Sequence, residues 1–116
     1  MEIIKKTINN NNYTFVCETW ETSRAWGHKV TLFRNDTEYT TQKITYYNRT
    51  WESYRYQTCM LKCIDEVIAE EVKNAIEEVR ELYNIKRISK DEKESIIAEL
   101  EKRPYYKELK ELRKLI

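Results

Sequence analysis

This chain of 116 residues carries little of what usually punctuates or equips a protein: one glycine, one proline and one histidine. A single glycine cannot build a phosphate cradle, and neither GxGxxG nor GxxxxGK(S/T) occurs, so no nucleotide cofactor is expected. Gly27 is expected instead at a turn or bulge. His28 stands beside it without a recognisable triad and reads as a surface or packing residue rather than a general base, so the chain is not expected to be an enzyme and no catalytic residue is assigned. An excess of one charge is also missing. Lys and Arg number 21 against 20 Asp and Glu, a formal +1, which removes the simplest argument for a polyanion-binding protein. No apolar run approaches the roughly 18–20 residues of a membrane span, and mean hydropathy is −0.83. The opening MEIIKKTINN is too short in its apolar part for a signal peptide. A cytoplasmic protein with no membrane partner is therefore expected.

Cysteine is scarce and odd in number. Cys17, Cys59 and Cys63 without an export signal imply reduced thiols rather than a disulfide framework. Cys59 and Cys63 lie four residues apart, but a Cys3His zinc site would need Cys17 and His28 to converge on them, and no spacing demonstrates that. No metal or cofactor is expected. Three N-x-S/T matches, at Asn12, Asn35 and Asn48, read as composition rather than glycosylation sites.

What is present is a chain that should fold, with 41% hydrophobic and 35% charged residues. Residues 13–20, 28–34 and 38–47 mix β-branched and aromatic residues with partial alternation, and Asn35-Asp36 supplies turn chemistry between the last two. Phe15 and Cys17 share one face, as do Val30 and Leu32. Three antiparallel strands are predicted; Ile3, Ile4 and Ile8 either extend a strand or cover the sheet edge, and the Asn9–Asn12 run leaves their register open. Beyond residue 50 the period becomes helical. Asn48 or Thr50 is a candidate cap, and Leu61, Ile64, Ile68, Val72, Ile76, Val79 and Tyr83 form the stripe of one long helix. Ser89 and Glu92 have capping-box spacing before a second helix, and Pro104 suits the first turn of a third. The predicted fold is α+β: a three-stranded antiparallel sheet packed with a long helix (1–83), followed by a C-terminal extension of two shorter helices (84–116). Apolar residues on the terminal helices either fold back or make a homodimer or larger homo-oligomer.

The segment Tyr46–Tyr56, YYNRTWESYRY, holds four of the nine tyrosines, one tryptophan and two arginines. Arg49 and Arg55 offer charge-assisted hydrogen bonds, and Trp51 and Tyr54 offer flat contact area to a partner. The structural alternative has Trp51 seal the junction of sheet and helix. A second candidate surface is the acidic face of the long helix, where Glu66, Glu70, Glu71, Glu77, Glu78 and Glu81 offer charge to a basic protein and Glu66, Glu70, Glu77 and Glu81 are the chosen contacts; ordinary solubility is its bland alternative.

The run YYNRTWESYRYQT, preceded by the His28 strand, resembles small uncharacterised proteins of phages and mobile elements over roughly residues 13–64, with NRTWE as the recognisable signature. The resemblance implies a small regulator or an inhibitor of a host defence system, anti-CRISPR proteins included. The expectation is therefore a macromolecule-binding regulator or steric inhibitor whose partner is a bacterial protein such as a defence nuclease complex. The alternative is a nucleic-acid-binding module that stacks bases on sheet aromatics.

Overall fold

The computed structural model describes residues 1–47 and 55–116. Four strands come first: β1 (Glu2–Ile8), β2 (Asn11–Glu21), β3 (Trp26–Arg34) and β4 (Thr37–Tyr46). Three helices follow: α1 (Gln57–Tyr83), α2 (Lys90–Leu100) and α3 (Pro104–Leu115). The strands form one antiparallel sheet in the order β1-β2-β3-β4. The class is α+β as predicted, but the sheet has four strands rather than three. The asparagine run explains the difference. Asn9 and Asn10 take φ of 51° and 65°, the left-handed values of a two-residue hairpin turn, which Asn tolerates better than most residues. Asn9 and Asn10 are the turn, Asn11 and Asn12 open β2, and the isoleucines before them lie in a paired strand. Asn35 and Asp36 repeat the device with φ of 47° and 71°. Asn35 Oδ1 then accepts from the Asn12 backbone N–H at 2.8 Å, and its Nδ2 donates to Asn11 Oδ1 at 2.9 Å, joining the two turns.

Alternation decides which face is covered. Tyr13, Phe15, Cys17, Val30 and Leu32 are fully buried under Cys59, Cys63, Ile64 and Val67 of α1 and Leu109 and Leu112 of α3. Each leucine so buried contributes roughly 1.5–3 kcal/mol, which holds α3 back against the sheet. A smaller cluster of Ala75, Leu100 and Tyr106 ties α2 to α1 and α3. Among the described residues the opposite sheet face carries no helix. It presents half-buried Val16, Trp20, Lys29 and Phe33, and a Thr31–Thr41 hydroxyl hydrogen bond of 3.0 Å.

The helix ends follow local chemistry. Asn84 closes α1 in a left-handed conformation, with its N–H donating to the Arg80 carbonyl. Ser89 caps α2 by accepting from the Glu92 N–H at 3.2 Å, and Pro104 begins α3. The proposed caps Asn48 and Thr50 lie outside the described residues. No described helix is long and apolar enough to cross a membrane.

Candidate functional site

One surface cleft that gathers polar side chains lies between β4, α1 and the start of α3. A cleft of about 540 Å³ is lined by Tyr39, Thr40, Glu66, Val67, Glu70, Glu71 and Tyr105. Helical spacing assembles its acidic wall: Glu66 and Glu70 stand one turn apart, and Glu71 occupies the adjacent column. The opposite wall depends on a bulge. Leu32 pairs with Thr40 and Phe33 with Glu38, so Tyr39 is the extra residue, and bulges re-aim side chains in this way. Its ring meets Tyr105 edge to face, with centroids 6.3 Å apart. Burial first, and the Tyr39 hydroxyl second, hold the Tyr105 phenol above its ordinary range, so Tyr105 keeps its proton at physiological pH.

A buried polar network sets the position of Tyr105. Glu108 is only 5% exposed. Its Oε1 accepts from the Tyr13 hydroxyl at 2.5 Å and lies 3.5 Å from an Arg34 guanidinium nitrogen, while Oε2 accepts from Asn11 Nδ2 at 3.2 Å. Arg34 Nε in turn donates to the Tyr13 oxygen at 3.1 Å. The Arg34 guanidinium carbon sits 5.2 Å from the Tyr105 ring centroid, a cation–π distance. A carboxylate removed from water needs such partners, and here they fix α3 against the sheet. The Tyr13 phenol is raised well above its usual range, chiefly by burial and then by the Glu108 carboxylate.

The sequence-chosen residues disperse. Glu66 and Glu70 enter the cleft. Glu77 pairs with Arg80 at 3.0 Å and Glu81 is exposed farther along α1, beyond the cleft. Arg55 lines a different groove with Glu2, Ile4, Lys6, Tyr56 and Met60. Arg49, Trp51 and Tyr54 lie outside the described residues. Tyr46 packs on His28 and Trp26 at centroid distances of 5.2 and 5.3 Å. Glu71, part of the acidic helix face read from the sequence, joins Glu66 and Glu70 in the cleft. Tyr39, Tyr105 and Glu108 were missed, because only the fold brings β4 and α3 to α1.

His28 is buried, with its ring 4.6 Å from that of Tyr56. The three thiols gather beneath the sheet, Cys59 Sγ facing the Gln42 carbonyl and Cys63 Sγ the Val30 carbonyl, each at 3.3 Å. Burial pushes the Cys17 thiol up to about 11, the Cys63 thiol up to about 12, and Cys59 in the same direction. Such thiols are poor nucleophiles at neutral pH. Among the described residues no group of three or more His, Cys, Asp or Glu is arranged to hold a metal ion. Comparison with protein-family models, curated proteins and solved structures finds no match to this chain.

Proposed function

We propose that this protein is a macromolecule-binding regulator acting by steric inhibition, which holds a basic segment of a partner protein in the cleft between α1, β4 and α3. One observation carries the reading: three glutamates of one helix face two tyrosines across a cleft of about 540 Å³. Carboxylates attract Lys and Arg, and phenolic rings and hydroxyls add cation–π contact and hydrogen bonds. Exposed ion pairs contribute only about 0.2–1 kcal/mol each, so several must act together, as a cleft allows. Buried thiols and a buried His28 support binding rather than chemistry, and the cytoplasm would keep those thiols reduced. The class of partner proposed, a bacterial protein such as a defence nuclease complex, follows from the reading of the YYNRTWESYRYQT run alone.

A second reading rests on the uncovered sheet face. Trp20 and Phe33 lie half-buried there, and strand alternation places Lys5, Lys29 and Lys43 on the same side, the ingredients of a single-strand stacking platform. Glu18 and Glu38 share that face and weaken the field.

Affinity capture from a bacterial lysate, with and without nuclease, separates the two. The cleft reading expects one protein retained after nuclease treatment and lost with the Glu66→Lys/Glu70→Lys variant. Broad nucleic-acid recovery abolished by nuclease and unaffected by that variant would transfer the function to the sheet face.

A further inference from the structure

The sheet has two edges, and they differ. Along β4, Lys62 Nζ donates to the Lys43 carbonyl at 2.8 Å, and the bulge beside Phe33 interrupts the register. Covering side chains and bulges are ordinary protection against pairing with another chain. β1 has neither a bulge nor a proline between Glu2 and Ile8. The two-residue turn at Asn9 and Asn10 makes Ile8 and Asn11 a hydrogen-bonded pair. Ladder alternation then points the amides and carbonyls of Ile3, Lys5 and Thr7 away from β2.

The side chains make this edge complementary to itself. If two β1 strands pair antiparallel about a two-fold axis through Ile4, Glu2 of each copy stands opposite Lys6 of the other, and Ile3 opposite Lys5. The outward backbone groups of Ile3 and Lys5 then meet. Glu2–Lys6 and Ile4–Ile4 fall at non-hydrogen-bonded positions, where facing side chains approach more closely. Centring the axis on Lys5 instead sets that lysine against itself and Glu2 against Ile8, so charge selects the first register. Neither Glu2 nor Lys6 makes a salt bridge within the described residues. Both line a groove of about 390 Å³ with Ile4, Met60 and Leu115. Ile3 is 54% exposed and Leu115 47%, which leaves apolar surface on both sides of the same strand.

We propose that a second copy of this chain docks along β1, joining two sheets into one of eight strands with both helical layers on the same side. Sedimentation velocity of the full chain over a concentration series tests it. A dimer is expected. Glu2→Lys or Lys6→Glu should each weaken it about tenfold, because the two-fold axis reverses both charge pairs at once. The double variant Glu2→Lys/Lys6→Glu should restore the wild-type affinity. Lys5→Pro removes an outward N–H without touching the bonds to β2, and should give a monomer with an unchanged circular dichroism spectrum. A monomer at every concentration would overturn the proposal. So would a dimer indifferent to all these substitutions, as one formed through Leu82 and Tyr83 at the exposed end of α1 would be.

Discussion

Single residues carry more of this fold than their number suggests. A Cβ added to Gly27 would lie 1.9 Å from the Ile44 carbonyl oxygen and 2.7 Å from the Trp20 ring. The oxygen belongs to a paired strand and cannot yield cheaply. Gly27→Ala should therefore cost about 3 kcal/mol or more, read by urea denaturation; an unchanged midpoint would show that the strands adjust. Tyr13→Phe deletes the hydroxyl that donates to Glu108 and accepts from Arg34, and should cost about 2 kcal/mol by the same measurement. The buried thiols make a pH statement. Burial holds Cys17 near 11 and Cys63 near 12 against an ordinary 9.0, so the unfolded chain loses its thiol protons first as pH rises. Their contribution to stability is whole below pH 9 and is lost between there and about pH 11–12. A lower denaturation midpoint at pH 10 than at pH 7.5 is expected, and the difference should shrink in a Cys17→Ala/Cys63→Ala variant.

At the level of elements, the sequence is legible wherever local chemistry decides. Alternation in residues 13–20 and 28–34 revealed buried faces that the sheet uses, and the Ser89 cap and Pro104 placed α2 and α3. Asn9 and Asn10 misled because a turn of two left-handed asparagines has the composition of a disordered loop; its conformation becomes legible only when Ile3, Ile4 and Ile8 are granted a partner strand. Asn10→Ala should cost about 1 kcal/mol and Asn10→Gly almost nothing, since Ala keeps the Cβ but loses the polar side chain that lets Asn tolerate a left-handed backbone, whereas Gly has no Cβ to accommodate. Thermal denaturation of the pair checks this, and equal losses would contradict the turn assignment. The candidate site was half legible for a different reason. Helical period alone joins Glu66, Glu70 and Glu71. No local signal brings Tyr39, turned by a bulge, to Tyr105 at the start of a helix 66 residues later.

In the whole molecule, one face of the sheet is buried under the helices, and grooves open around that helical layer. The helices consume the thiols, His28 and the Glu108 network in holding α1 and α3 on the sheet, while the cleft keeps its carboxylates in reach of solvent. Where a basic ligand binds decides most directly whether the cleft is the site. Amide chemical shifts of the labelled protein, titrated with a hexa-arginine peptide and separately with a dodecathymidine strand, would locate it. The account predicts peptide-induced shifts at Glu66, Glu70, Glu71, Tyr39 and Tyr105 that fade with added salt and are absent from the Glu66→Lys/Glu70→Lys variant. Undisturbed cleft signals with the peptide, alongside shifts at Trp20, Lys29 and Phe33 with the oligonucleotide, would contradict it.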